Sequence, residues 1–120
     1  MRILALAALL PLAAAARDDP LAGRVAAPAE DCVSLTRVQG PDVVDERTII
    51  YRQNRRRLWV THPVDACPSL RPQLSTPVVE VQGDRLCRND RFRVRSVNSP
   101  IPGPVCRFGR FTPYDLPAKR

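Results

Sequence analysis

The sequence contains little of the chemistry that most enzyme and metal sites need. Of its 120 residues, one is a histidine (His62), one is a methionine and 5% are aromatic, and Lys119 is its only lysine. No serine or cysteine nucleophile motif accompanies His62, so its use as a base is only an alternative. The aspartates near cysteines and strand edges, Asp31, Asp84 and Asp90, lack the spacing of a calcium loop. We expect no catalytic residue, no metal and no cofactor.

The densest group of ionisable residues, Asp45-Glu46-Arg47, does not change this expectation. Neighbouring side chains in an extended chain point to opposite faces, so the two carboxylates are poorly placed to act together as acid and base. A turn or the start of a strand, with Arg47 as a local ion-pair partner, explains the group better.

Helical patterns and internal repeats are also missing. No long stretch has an apolar stripe with the helical period, whereas β-branched and aromatic residues form several short runs. The most prominent run, residues 43–52, is followed by the polar residues 53–56 and by a second run, 57–63, which contains the only tryptophan. This pattern predicts a β-hairpin at the centre of the core.

Other segments indicate the same kind of structure. Three of them have a strand-like composition: residues 31–38, 77–82 and 106–114. Residues 91–97 alternate most regularly, and Phe92, Val94 and Val97 are expected to face the core while the arginines between them face water. Proline-rich stretches lie between these segments. We expect them to be loops, because proline has no main-chain N–H to donate to a strand ladder. The predicted fold class is all-β, a small curved antiparallel sheet or partly open barrel.

The N-terminus has the three parts of a secretory signal peptide. Arg2 is followed by the apolar residues 3–13 and by an Ala-x-Ala site at Ala14 and Ala16. The apolar run is shorter than the roughly 20 residues of a transmembrane helix, and no cysteine precedes Cys32 as a lipid anchor. We expect cleavage near Ala16 and a periplasmic or secreted protein that is not transmembrane. An uncleaved N-terminal anchor is the alternative.

These features predict how the chain is organised. Residues 1–16 are expected to be the signal peptide, and residues 17–29, which proline and glycine interrupt, a flexible tether. Residues 30–116 then form one β domain, and residues 117–120 are a tail. A domain this short buries limited apolar surface and often needs covalent support.

Four cysteines can supply that support: Cys32, Cys67, Cys87 and Cys106. An even number in an exported chain predicts two disulfides that staple the β domain, with three possible pairings. We favour the nested pairs Cys32 with Cys106 and Cys67 with Cys87, because they tie the first strand to the last segment. Zinc is the alternative, but the cysteines form no close pair and His62 has no ligand spacing.

The chain is strongly basic. Its formal net charge is +7, and nearly all of the basic residues are arginine. Two rows of arginine are candidate anion-binding residues: Arg52, Arg55, Arg56 and Arg57 at the hairpin turn, and Arg91, Arg93 and Arg95 on one strand face. Phosphates of an envelope polymer or lipid would suit them, with binding that weakens as salt rises. Nucleic acid is not expected as a partner, since base-stacking aromatics are not interleaved with the arginines. A solvated surface shaped by GC-rich codon usage is the alternative.

Several short motifs, spread over about residues 30 to 113, carry a family resemblance. They are Asp31-Cys32, Arg37, the stretch Val43-Val44-Asp45-Glu46-Arg47-Thr48-Ile49, Cys67-Pro68 with Leu70, Leu86-Cys87 with Asp90, and Cys106 with Phe108-Gly109-Arg110-Phe111 and Pro113. The chain resembles the DUF6491 family of small exported proteobacterial proteins of unknown function, many of which carry lipoprotein signals. The resemblance implies an exported, cysteine-stapled β domain and no catalytic residues. The chain departs from the family in lacking a lipoprotein cysteine and in residues 71–84.

We therefore expect a non-enzymatic binding or accessory protein of the cell envelope. Its partner would be an anionic envelope component or another envelope protein. One alternative is an envelope enzyme or enzyme inhibitor, suggested by the proline-rich loop around Cys67-Pro68. The other is a binder of anionic envelope polymers or lipids through the arginine rows.

Overall fold

The computed structural model describes residues 19–81, 83–101 and 103–118 of the chain. The predicted signal peptide, residues 1–16, and the end of the predicted tail lie outside this part. The described residues form nine strands: β1 (Val25–Ala26), β2 (Cys32–Ser34), β3 (Gln39–Asp45), β4 (Thr48–Arg52), β5 (Arg57–Pro63), β6 (Ser75–Val79), β7 (Arg85–Cys87), β8 (Arg91–Ser96) and β9 (Val105–Asp115). Within these residues there is no helix with the length and apolarity to cross a bilayer.

One antiparallel sheet makes up most of the molecule, with strand order β3-β4-β5-β9-β8-β6. The sheet curves so that its two end strands, β3 and β6, lie against each other, although no ladder joins them in the described residues. The result is a nearly closed barrel. The predicted fold class, an all-β curved sheet or partly open barrel stapled by two disulfides, is confirmed.

The central hairpin is confirmed, but it begins later than predicted. β4 and β5 pair from Ile49 with Thr61 to Arg52 with Leu58. Residues 43–45 belong instead to β3, because a turn reverses the chain at Glu46-Arg47. The Asp45 carboxylate stabilises this turn by accepting a hydrogen bond from the Arg47 main-chain nitrogen at 2.8 Å, as short polar side chains often do in turns.

The segment predicted to be a flexible tether, residues 17–29, is part of the fold wherever the structure describes it. β1 pairs with the end of β9, and the Ala27 nitrogen donates to the Pro113 carbonyl at 2.8 Å. Leu21 packs on Ile50, Leu58 and Val60, which lie on the outer face of β4 and β5. These strands are apolar on both faces, so the outer face needs a cover. The N-terminal segment provides it.

The interior of the barrel holds the main core. Its largest members are the aromatic residues Tyr51, Trp59, Phe92, Phe108 and Phe111, all at most 6% exposed. Tyr51 meets both Phe108 and Phe111 edge to face, with ring centroids 6.4 Å apart. This arrangement contributes beyond simple area burial, because the edge of one ring faces the π-cloud of another.

Both disulfides form, but the predicted pairing was wrong. Cys32 bonds to Cys87 and Cys67 bonds to Cys106. The reason is a second, two-stranded sheet in which β2 pairs with β7 and places Cys32 directly opposite Cys87. Val33 and Leu86 of this ribbon are buried in the barrel core. The zinc alternative fails, because none of the cysteines is free.

β8 follows its predicted alternation. Phe92 and Val94 are buried, whereas Arg91, Arg93 and Arg95 are exposed. Val97, expected in the core, is 66% exposed, because the strand ends at Ser96 and the chain then turns. β6 starts and ends earlier than the predicted strand at residues 77–82.

Candidate anion-binding surfaces

The β4–β5 turn brings the first arginine row together at what we call the hairpin tip, residues 52–57 with Arg24. The Asn54 side-chain oxygen accepts hydrogen bonds from the main-chain nitrogens of Arg56 and Arg57, both at 2.9 Å. The Gln53 side-chain oxygen accepts one from the Trp59 indole at 2.7 Å. Such side-chain bonds fix the turn. The Arg55 and Arg56 side chains are exposed on it.

Arg24 lies beneath the turn and was not among the predicted site residues. Its guanidinium donates to the main-chain carbonyls of Arg56 at 2.9 Å and of Arg55 at 3.4 Å. It also reaches the Tyr114 carbonyl at 3.4 Å. Arg24 is therefore held by main-chain carbonyls, and it adds a positive charge to the tip.

The other two arginines of the tip are paired with carboxylates. Arg57 makes a two-pronged contact with Asp115, with both hydrogen bonds at 2.8 Å, and its guanidinium lies 5.4 Å from the centre of the Trp59 ring. Arg52 lies 3.0 Å from the Asp42 carboxylate. These pairs hold the arginines in place and partly neutralise them. Arg55 and Arg56 have no carboxylate within salt-bridge distance in the described part of the chain.

The positive charge of the tip also lowers the pKa of Asp115. The hydrogen bonds from Arg57 lower the pKa of the Asp115 carboxyl below its ordinary value, and the positive charges of Arg56 and Arg24 lower it further. The same ion pair raises the pKa of Arg57. One carboxylate thus lies in the field of three arginines. An additional anion at the tip would be attracted chiefly by Arg24, Arg55 and Arg56, because Asp115 offsets the charge of Arg57.

The second arginine row lies on a different surface. Arg91, Arg93 and Arg95 point outward from β8, as predicted, and we call this the β8 face. Arg91 lies beside Arg107 on β9 and Arg95 beside Thr76 on β6. Arg57 pairs with Asp115 at one end of β9, whereas Arg91 pairs with Arg107 near the other end. The two rows are therefore about 26 Å apart along β9 and do not form one site.

Two other groups that the sequence brings to attention, the Asp45-Glu46-Arg47 turn and His62, lie side by side along one open depression. Arg47 lies 4.0 Å from Glu46, and both side chains are largely exposed, in agreement with a local ion pair in a turn. A His62 ring nitrogen is 2.7 Å from the Arg47 carbonyl oxygen. No set of three metal-ligating side chains is grouped anywhere in the described ranges.

The loop around Cys67-Pro68, which suggested an envelope enzyme or enzyme inhibitor, is attached to the barrel. Cys67 and Leu70 are each 1% exposed, and the disulfide ties the loop to β9. Val64, Ala66 and Pro68 remain accessible beside the polar residues of the loop. The loop therefore contributes to the core as well as to the surface.

No family model, curated protein or solved structure matches the chain. The resemblance to the DUF6491 family stays an expectation from the sequence.

Proposed function

We propose that the chain is an exported, non-enzymatic binding domain of the bacterial cell envelope, whose hairpin tip binds a phosphorylated, anionic envelope component. The observation that carries the proposal is the display of Arg55 and Arg56 on a fixed main-chain turn. The turn is fixed by Asn54 and by Arg24, and neither Arg55 nor Arg56 has a carboxylate partner in the described residues. A turn that is fixed in advance loses less main-chain conformational entropy when its side chains bind an anion.

Export is supported by two independent features. The N-terminal residues have the pattern of a signal peptide, and the β domain carries two disulfides. Disulfides persist in oxidising compartments such as the periplasm and the extracellular space, and they are rare in the reducing cytosol.

The structure also determines which variants test the proposal. Arg57 and Arg52 are poor choices, because their substitution would break the ion pairs with Asp115 and Asp42. The informative variant is Arg55→Ser/Arg56→Ser, which removes two side chains that make no hydrogen bond or salt bridge in the described residues. Arg71→Ser/Arg85→Ser is the matched control, since both residues are exposed and lie outside the tip.

The experiment measures binding to inorganic polyphosphate as a function of salt concentration. For a flexible polyanion, each phosphate contact contributes about 0.7 to the slope of log affinity against log salt. The tip variant should therefore lose about 1.4 from that slope, while the control variant keeps the slope of the wild type. Equal losses in the two variants would mean that only net charge matters, and the tip would not be the site.

A further inference from the structure

The β8 face combines arginine with exposed aliphatic side chains. On the outer surface of the barrel, Arg93 lies between two cross-strand neighbours, Val78 on β6 and Val105 on β9. Val78 is 49% exposed and Val105 46%. Val97 lies with Val78 and Arg95 along one open groove and is 66% exposed. The opposite sides of these strands fill the core, so strand alternation fixes the arginines and valines outward.

The charges of this face are only partly compensated. Arg93 lies 3.8 Å from Glu80 and Arg107 lies 3.7 Å from Asp65. In the described part of the chain no carboxylate comes within 4.0 Å of Arg91 or Arg95. The face is thus cationic and apolar at once. Arginine can bury its methylene stem among aliphatic groups while its guanidinium reaches a phosphate.

Two features of this region argue against a protein partner that would add a strand to the sheet or insert a side chain into the groove. β3 and β6 end the sheet and contain Pro41 and Pro77, which remove main-chain donors and blunt these edges against strand addition. The groove beside Val78 and Val97 is open and shallow, unlike the enclosed pockets that hold the anchor residues of protein partners.

We propose that the β8 face is a docking surface for an anionic phospholipid bilayer. Val78, Val97 and Val105 contact the headgroup region, and Arg91 and Arg95 bind lipid phosphates. A bilayer needs no deep pocket, and its negative charge complements that of the face. This surface is separate from the hairpin tip, so the two proposals succeed or fail independently.

The test is cosedimentation of the protein, as recovered from its host cell with its N-terminus determined by mass spectrometry, with lipid vesicles. Equimolar phosphatidylglycerol and phosphatidylcholine vesicles are compared with pure phosphatidylcholine vesicles. Arg91→Ser/Arg95→Ser should weaken partitioning to the anionic vesicles about 30-fold. Val78→Ser/Val105→Ser should weaken it at least about threefold, because less apolar surface enters the headgroup region. Arg55→Ser/Arg56→Ser, with the same loss of charge, should partition as the wild type does, because the hairpin tip lies at the other end of β9.

Three results would overturn the proposal. One is equal partitioning of the wild type to anionic and neutral vesicles, or to neither. Another is an equal loss in the β8-face variant and in the Arg55→Ser/Arg56→Ser control. The third is loss in the tip variant Arg55→Ser/Arg56→Ser without loss in the β8-face variants, which would assign lipid binding to the tip. Circular dichroism serves to check that each variant is folded, which is expected because the substituted positions are exposed.

Discussion

Removing either disulfide should cost the domain a large part of its stability. Cys32 and Cys87 are 55 residues apart in the sequence, and Cys67 and Cys106 are 39 apart. In the chain-entropy account, a crosslink that closes a loop of either length stabilises the fold by about 4 kcal/mol at 25 °C. Domains of this size have unfolding free energies of about 5–15 kcal/mol. Each variant with one bridge removed should therefore fold, but with greatly reduced stability.

The sharpest variant separates the observed pairing from the pairing that the sequence suggested. Cys32→Ala/Cys106→Ala removes one partner from each observed bridge, so both bridges are lost and the free energy of unfolding falls by about 8 kcal/mol. Under the alternative pairing it would remove one bridge only. Cys32→Ala/Cys87→Ala and Cys67→Ala/Cys106→Ala are the matched controls, each of which removes one observed bridge.

Urea unfolding followed by the fluorescence of Trp59, which is 6% exposed, is a suitable assay. The Cys32→Ala/Cys106→Ala variant should be unfolded, or nearly so, before urea is added, while the two controls show cooperative transitions at lower urea than the wild type. A Cys32→Ala/Cys106→Ala variant as stable as either control would refute both the pairing and the reasoning from loop length.

Three single substitutions test individual contacts of the fold. Asp115→Asn should lower the free energy of unfolding by about 1 kcal/mol at pH 7, because the ion pair with Arg57 is lost. Because that pair lowers the pKa of Asp115, its contribution is complete above the unfolded value of about 4 and fades as the pH falls through the folded value. A stability gap between wild type and variant that does not narrow as urea unfolding is taken to acid pH would contradict this. Burial raises the pKa of Tyr51, whose hydroxyl has no hydrogen-bond partner in the described residues, so Tyr51→Phe should leave the free energy of unfolding unchanged or raise it by up to about 1 kcal/mol. A loss of stability would show that the hydroxyl is bonded. Gly109→Ala should cost about 2 kcal/mol, because its Cβ would overlap the His62 carbonyl oxygen. An unchanged melting temperature would rule out so close an approach of β5 and β9.

Local patterns in the sequence were sufficient for the strands that depend on them. The alternation of Phe92 and Val94 with arginine gave β8 its correct faces, because strand period alone decides which side chains point inward. The polar residues 53–56 between two apolar runs likewise located the β4–β5 turn. The class of fold follows from these elements and from the lack of any helical stripe.

The errors lie where distant residues decide the outcome. The pairing of Cys32 with Cys87 depends on the β2–β7 ribbon, whose strands are far apart in the sequence. One error is local instead: the Asp45-Glu46-Arg47 group was interpreted as a turn or the start of a strand, yet the predicted run over residues 43–52 continued through it, because this turn has no glycine or proline and is stabilised by the Asp45 side chain. The N-terminal segment was taken for a tether, although the unbroken apolar runs of β4 and β5 could have indicated that both of their faces are covered.

Only part of the candidate site could be predicted from the sequence, because contacts between distant residues decide which arginines are free to bind. The cluster at Arg55, Arg56 and Arg57 is visible as a run in the sequence. That Arg57 is neutralised by Asp115, 58 residues away, and that Arg24 lies under the turn, are consequences of the closed sheet. The sequence therefore indicated where positive charge is concentrated, but not which arginines are free to bind.

The most direct test of the account is a nuclear magnetic resonance titration of isotope-labelled protein with inorganic polyphosphate. It reports every main-chain amide and the arginine side chains in one experiment. The account predicts that the largest shifts fall on residues 52–57 and on Arg24, that they saturate, and that added salt reverses them. Shifts confined to other regions, or no shifts at low salt, would contradict the claim that the hairpin tip binds phosphorylated anions.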